Sequence, residues 1–461
     1  MLMNCQSLFR ARNGNLDGDG HSDSRGLEMA FHSLKLLLLA LTLASHSQFA
    51  WAQASGSPAV EGPAPLPAGR HGYADETPEG KVALASIQQM ISATYAQRDG
   101  IISQRAPLVD QRGVLQASIE AQVADNLVLN QQYLALKKSV DGINKSLKKA
   151  NATEASTLSL QLGNLNLQIK GVRDTFNKNT AAINQATIQR DALDRQLAPF
   201  NARLVAAWKD LEAARRRWRE ACSLDEKYTR GDEHLLQAEL EAQLVTDTQW
   251  PDGWFWVALC AYEQGKYEEA EKAVERGSEI FNALSRELGS VKPSSRLKAL
   301  GALIGLKQKG KTAKAADDMK AAIRLATSEK ENGDWATFYL AGRAALDKTT
   351  TISQAKGRFV QALELEETRC TKLWIARMQT LAPTPVAGRD ARSAVATLEN
   401  FWKDSNEQGW RPGYFLVEAY LADGRRADAD ALWQRLAGQI PPARLDELTK
   451  SYEAAVAGSS E

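Results

Sequence analysis

The sequence predicts an all-α protein in which a long antiparallel coiled-coil hairpin is followed by an α-solenoid of short helix pairs. Three observations support this fold class. Apolar residues recur with heptad spacing over residues 84–147, and a second heptad stripe occupies residues 158–221. From about residue 232 the narrow stripe gives way to short paired helical patterns separated by turns. Heptad spacing is typical of coiled coils, whereas short amphipathic pairs are typical of helical arrays.

The second stripe is the purer of the two. It runs from Leu158 to Ala221 and is interrupted by polar residues at Asn179 and Arg190. A stripe this long and narrow favours a left-handed supercoil and requires a partner helix. The first stripe, from Leu84 to Leu147, contains more polar residues and is the nearest source of such a partner.

The two stripes are related by reflection, which favours a chain reversal between them. Leu147 pairs with Leu158, the pairing continues in register along both arms, and Pro107 and Pro199 fall at nearly the same level. The heptad register slips between residues 148 and 157, where Thr153 is a predicted helix N-cap. We therefore predict a hairpin over residues 80–224. The alternative is one continuous helix in a parallel homodimer or homotrimer.

Three features inside the hairpin carry predictions of their own. Asn126 facing Asn179 would form a buried amide pair that fixes register at some cost in stability. The two prolines should kink both arms because each removes a backbone hydrogen bond. The basic cluster at residues 215–219 could grip an acidic partner or lipid headgroups, but we favour a solvated helix face with Trp218 in the seam.

The clearest helix pair runs from Trp254 to Gly277, with Gly265 in the turn and small residues Ala258 and Ala270 where the helices cross. This spacing resembles the tetratricopeptide repeat (TPR), a helix-turn-helix unit of about 34 residues. Related units follow at 299–319, 338–362 and 416–441, a weaker pair at 373–402, and an opening half-repeat at 232–245. The predicted repeat domain is 225–450, with a tail at 451–461.

The TPR resemblance implies a concave surface, formed by the first helix of each repeat, that holds a protein or peptide partner. Carried over by position, the implied contact residues are Phe255, Leu259, Tyr262, Glu263, Tyr339, Arg343, Tyr414 and Glu418. Aromatic residues at helical spacing also pack between repeats, so interior packing is the alternative role for each of them.

The N-terminal region indicates export. With Met29 as the start, a charged segment, the apolar run Leu36–Leu43 and Ala50-Trp51-Ala52 form a signal peptide over 29–52, cleaved near Ala52. Residues 1–28 would be a leader preceding it, and the Pro-, Gly- and Ala-rich segment 53–79 a flexible linker. The expected location is the periplasm or the outside of the cell, with no membrane association indicated beyond export.

Composition and motifs argue against catalysis. The sequence holds 57 Lys and Arg against 56 Asp and Glu, a balance that disfavours a general nucleic-acid binder. The sequence contains no HExxH, Walker or GxSxG motif. It also lacks a CxxC pair, so a zinc site is not indicated, and we predict no cofactor. We therefore expect an exported non-catalytic adaptor or scaffold whose coiled coil is a spacer or homo-oligomerisation arm. The alternative is a structural cell-envelope component acting through coiled-coil self-assembly.

Overall fold

The computed structural model describes residues 73–287, 294–308, 310–328, 334–346, 352–382 and 390–458. These residues belong to one compact unit that spans Ala64–Glu461. They form fifteen α-helices and one short 3-10 helix, and the described part of the chain contains no strand. The predicted all-α class is therefore confirmed. The predicted leader, the signal peptide and all of the linker up to residue 72 lie outside the described residues.

Two helices of 70 residues each make the hairpin, and both have well-formed N-caps. Helix α1, Pro78–Leu147, follows the 3-10 helix Ala74–Glu76, and the Thr77 hydroxyl accepts a hydrogen bond from the Gly80 amide. Helix α2, Ala152–Ala221, begins at a capping box in which the Asn151 and Glu154 side chains accept each other's backbone N–H. The cap at this turn is Asn151, so the prediction of Thr153 was wrong by two positions.

Helices α1 and α2 pack antiparallel after the chain reverses at residues 148–151. Side-chain bonds at successive levels fix the direction, from Arg112 with Asp194 to Asn126 with Thr180. Apart from Gly80, every buried residue of α1 belongs to the predicted stripe. Both helices continue through their internal prolines, Pro107 and Pro199.

The predicted amide pair inside the hairpin is not formed as expected. Asn126 is fully buried, but its Nδ2 donates to the Thr180 hydroxyl at 3.4 Å, and Asn179 is half-exposed. The Asn126 Oδ1 atom has no hydrogen-bond partner. Asn126 therefore faces Thr180, one position beyond Asn179, which is the residue that the reflection of the two stripes predicts.

The rest of the described chain is short helices, most of them in consecutive pairs. Helix α3 spans Leu224–Arg230 and α4 spans Glu233–Thr246. The pairs are α5, Pro251–Glu263, with α6, Tyr267–Glu287; α7, Ser295–Lys307, with α8, Thr312–Ser328; α9, Trp335–Leu346, with α10, Ile352–Leu365; α11, Arg369–Leu381, with α12, Ala391–Asp404; and α13, Trp410–Ala422, with α14, Arg426–Leu436. Each pair packs its two helices together, as a TPR-like solenoid requires.

Helix α15, Pro442–Gly458, follows the last pair and packs against α13. It extends into the segment predicted as a tail from residue 451. The predicted domain boundary between residues 224 and 225 also falls inside an element, because α3 begins at Leu224. In the structure the helical backbone is interrupted after residues 147, 221 and 230.

Glycine makes the turn in the clearest pairs. Gly265 and Gly424 each have φ of +76°, a conformation that side chains with a Cβ rarely adopt. In both turns the following amide bonds back into the first helix, Lys266 to the Ala261 carbonyl at 2.9 Å and Arg425 to the Tyr420 carbonyl at 2.8 Å. These are the bonds of a Schellman C-cap, and they let the second helix reverse direction within a few residues.

The base of the hairpin shares its apolar core with the repeats. Ile91, Leu211 and Trp218 are buried in the same cluster as the residues of α4 and α5. The indoles of Trp218 and Trp250 meet edge to face with centroids 5.4 Å apart. The hairpin is thus joined to the repeat array by packed side chains as well as by the chain itself.

Candidate functional site: the groove of the repeat array

Four of the five first helices of the pairs contact helix α3. Helix α3 packs on α11 and α13, and its Tyr228 side chain reaches α5 and α9. Backbone breaks bracket this seven-residue helix, with Ser223 at φ +54° and Gly231 at φ +94°. The segment lies where the TPR resemblance implies that a partner would bind. We call residues 224–230 the plug, and the surface of the first helices around it the groove.

A carboxylate lies at the centre of the groove. Glu263 of α5 accepts a hydrogen bond from the Tyr228 hydroxyl at 2.8 Å and forms an ion pair with Arg343 of α9. A second arginine, Arg411 of α13, lies 3.7 Å from the other carboxylate oxygen. All four side chains are buried, so each depends on the others for its polar partners.

Arg411, in the last helix pair, contacts residues at the start of the repeat array. Its guanidinium is 1% exposed, forms an ion pair with Glu233 of α4 and donates to the Tyr228 carbonyl oxygen of the plug. Burial, reinforced by the nearby charge of Arg444, lowers the pKa of Arg411 to about 10, so it remains charged at neutral pH. The neighbouring Trp410 indole donates to the Gly231 carbonyl at 2.8 Å. The fifth pair therefore closes over the plug.

The other end of the plug is tied to helix α11. The Asp225 carboxylate accepts the backbone N–H groups of Arg369 and Cys370, at 2.9 and 3.4 Å, in the first turn of α11. Burial raises the pKa of Asp225, and these backbone donors offset only part of that effect. Lys227 makes the third attachment, with its ammonium 2.7 Å from both Asp75 and Glu239.

The structure brings four of the eight predicted contact residues together. Glu263, Tyr339 and Arg343 form hydrogen bonds with the Tyr228 hydroxyl, and the Arg343 guanidinium lies over the rings of Tyr262 and Tyr339. Among the remaining four, Glu418 forms a two-bond ion pair with Arg377. Phe255, Leu259 and Tyr414 are buried. Contact with an external partner stays a prediction for all eight, and seven of them pack inside this chain.

The plug was missed in the sequence because no periodic pattern covers it. Tyr228, Asp225 and Lys227 lie in a short polar stretch between the heptad stripe and the first helix pair. A seven-residue helix is too short for an amphipathic pattern to be read. The signal that was available is Gly231, which ends the stretch and whose added Cβ would lie 2.1 Å from the Trp410 indole nitrogen.

Arg215 corrects the interpretation of the basic cluster in α2. Its side chain is buried and donates to both Asp247 oxygens, at 2.8 and 2.9 Å, and to Tyr95 at 3.1 Å. Burial disfavours the charged guanidinium and by itself would lower the pKa of Arg215. The hydrogen bonds and the charge of Asp247 outweigh burial, so the pKa of Arg215 is raised. Arg216 and Arg217 are exposed, so the solvated-face interpretation holds for those two and was wrong for Arg215.

Neither a membrane span nor a metal-binding cluster is found in the part of the chain that the structure describes. None of its helices combines the length and the apolarity needed to cross a bilayer. No group of three or more His, Cys, Asp or Glu side chains there is arranged to hold a metal ion. The buried cysteines 222, 260 and 370 are free thiols, and burial raises the pKa of each.

Comparison with known proteins adds no argument about the fold or the function of this chain. No protein-family model matches this chain, and no curated protein matches it. The crystal structure of the yeast protein Tom70 is similar over 83% of this chain and 82% of its own, at 14% identity and a TM-score of 0.30. The TPR-like description therefore rests on the helix pairs and their turns, not on this match.

Proposed function

We propose that this chain is an exported, non-catalytic adaptor that binds a protein or peptide partner through its TPR-like repeats. The observation that carries the proposal is the plug. The first helices already hold a helical segment by a central carboxylate, by an arginine that lies over the Tyr228 ring and by a bond to a backbone carbonyl of the segment. A surface of that kind recognises polypeptide, and the plug covers only part of it.

The hairpin has a supporting role in this proposal. We propose that its arms wind around each other as an antiparallel coiled coil and act as a spacer. Its base is fixed by buried contacts such as the Arg215–Asp247 ion pair, so the arms would keep a defined direction relative to the repeats. At about 1.5 Å per residue each arm would extend the molecule by roughly 100 Å.

The alternative is a structural envelope component that self-assembles through the hairpin. One observation favours it. Leu160, Leu167 and Ile188 of α2 share one heptad position on the outer face and are 71%, 68% and 67% exposed. Apolar residues repeated on an outer face are a feature of helices that pack against a further helix.

Photo-crosslinking in the cell that produces the protein separates the two functions. A photoreactive phenylalanine analogue would replace Leu365 at the edge of the groove, Val360 on the outer face of the same helix, or Leu160 on the hairpin. Leu365 and Val360 are equally exposed, at 42%, so Val360 is the matched control. The adaptor proposal expects a discrete protein adduct from Leu365 and not from Val360. Adducts confined to Leu160 and formed between copies of this chain would contradict it.

Export has its own test. The proposal places the mature N-terminus at Gln53, after the predicted cleavage near Ala52. N-terminal sequencing of the protein from its native cell should give Gln53 or a residue close to it. An intact N-terminus at Met1 or Met29 in a cytoplasmic fraction would contradict export. The adaptor role would then still be tested by the crosslinking experiment.

A further inference from the structure

Beside the plug, part of the groove is open as a cavity of about 530 Å³. We call it the tryptophan cavity. Its walls come from the end of α2, the start of the plug, the first helices α5 and α9, and the connection from α10 to α11. The side chains that line it form an apolar part and a charged part.

The apolar part is formed by two indoles and two leucines. Trp256 and Trp335 lie with centroids 6.3 Å apart at 41°, beside Leu224 and the 42%-exposed Leu365. Trp256 is 3% exposed, and its indole N–H has no hydrogen-bond partner in the described structure. A buried donor without a partner costs free energy, so a backbone carbonyl of a bound peptide that reached it would be favoured.

The charged part is predominantly negative. Five carboxylates line the cavity, from Glu220, Asp225, Glu226, Glu366 and Glu367, against the guanidinium groups of Arg216 and Arg219. Glu220, Glu226 and Glu366 form no ion pair within the described structure, whereas Glu367 pairs with Lys372 at its edge. Even without Asp225, four carboxylates face two guanidinium groups in the lining. Indole faces also attract cations.

We propose that the tryptophan cavity binds a basic, apolar segment of the partner protein, with Lys or Arg side chains on the carboxylates and an aliphatic side chain against the indoles. This inference rests on the proposed adaptor function and adds the chemistry of the partner to it. The plug leaves this part of the groove free, so the partner binds next to the plug and does not replace it. Acidic segments are rejected, because they would face the excess carboxylates.

Labelled peptides test the inference on the full mature chain, residues 53–461. The probes are acetylated pentapeptide amides with fluorescein, of sequence KLKLK, ELELE and KSKSK, and the readout is fluorescence anisotropy. We expect KLKLK to bind, KSKSK to bind about tenfold more weakly because its apolar contacts are lost, and ELELE not to bind. Binding of KLKLK should weaken as salt rises. Equal binding of KLKLK and ELELE, or none of either, would overturn the inference.

A charge-reversal pair locates the site. Glu366→Lys with Glu367→Lys changes exposed residues, so folding is preserved, and KLKLK affinity should fall by about tenfold or more. The control is Glu268→Lys with Glu269→Lys, which reverses two adjacent exposed carboxylates in α6, away from the cavity. The same loss in both variants would overturn the site assignment. A Leu365 crosslink to a protein, together with no preference for KLKLK, would leave the adaptor proposal standing and remove only this inference.

Discussion

Glu263 shows how much depends on one buried carboxylate. It is 3% exposed and has Tyr228, Arg343 and Arg411 around it, so neutralising it leaves Arg343 without its counter-charge and leaves Arg411 with Glu233 alone. Glu263→Gln should lower the free energy of unfolding by about 3–5 kcal/mol, measured by urea denaturation followed by circular dichroism.

Glu418→Gln is the matched control for this prediction. Glu418 also lies on a first helix and pairs with an arginine, Arg377, but both side chains are partly exposed. Water compensates for the lost partner there, and we expect a loss of about 1 kcal/mol or less. Equal losses for the two variants would contradict the account of Glu263 as the centre of the groove.

Asp225 should make stability depend on pH. Burial raises its pKa in the folded chain above the ordinary value of 3.8, so the folded state binds the proton more tightly than the unfolded state. The stability that the protonated group adds is present below the unfolded pKa and is lost as pH rises through the folded pKa. The free energy of unfolding of the wild type, relative to Asp225→Asn, should therefore decline as pH rises above about 4, the ordinary pKa of an aspartate. Parallel profiles in chemical denaturation would contradict this.

Single residues also mark where the sequence was informative and where it was not. The heptad stripe identified the buried face of α1 because one apolar face follows directly from spacing. Trp208 and Arg215 were missed because they are buried on a second face of α2, outside the heptad stripe, where the Arg215 guanidinium lies over the Trp208 ring. Their separation of one heptad was a usable signal, but it could not reveal the partner Asp247, which lies at the end of α4.

At the scale of the elements, the hairpin contains a defect that can be repaired. Asn126 is fully buried, its Oδ1 atom has no partner, and its bond to Thr180 is long at 3.4 Å. Asn126→Leu should raise the free energy of unfolding by about 1 kcal/mol or more, because it replaces an unsatisfied polar group with an apolar one. Thermal unfolding of the variant would measure this.

Asn179→Leu is the comparison for that change. Asn179 is half-exposed in α2, and we expect its substitution to leave the melting temperature nearly unchanged. A lower melting temperature for Asn126→Leu would mean that the amide contributes stability that its contacts do not account for.

Replacing two glycines by alanine, one in a turn and one inside a helix, should change stability in opposite directions. Gly265→Ala forces a Cβ into a left-handed conformation and should cost about 1–2 kcal/mol of stability. Gly357→Ala, at an open and exposed position inside α10, should add about 0.5–1 kcal/mol. Differential scanning fluorimetry of both variants should show melting temperatures shifted in opposite directions. A stabilised Gly265→Ala variant would contradict the turn geometry.

At the scale of the whole molecule, the sequence predicted two modules and the structure joins them. The heptad stripes and the helix pairs were readable because each repeats a local pattern. The plug and the closure of α13 over it depend on contacts between residues far apart in the sequence, such as Tyr228 with Arg411, which are 183 positions apart and which no periodicity encodes. Cutting the chain at residue 225 would therefore divide α3 and remove buried groups at the hairpin base.

The central claim is that the plug belongs to the folded core of the repeat array. Hydrogen–deuterium exchange on the full mature chain tests it most directly, since a seven-residue helix without tertiary contacts cannot protect its own amides. The account predicts that peptides covering residues 224–230 exchange as slowly as those of α5 and α13. Exchange of these amides as fast as that of exposed turns would show that the plug is not held in the groove and would contradict the account.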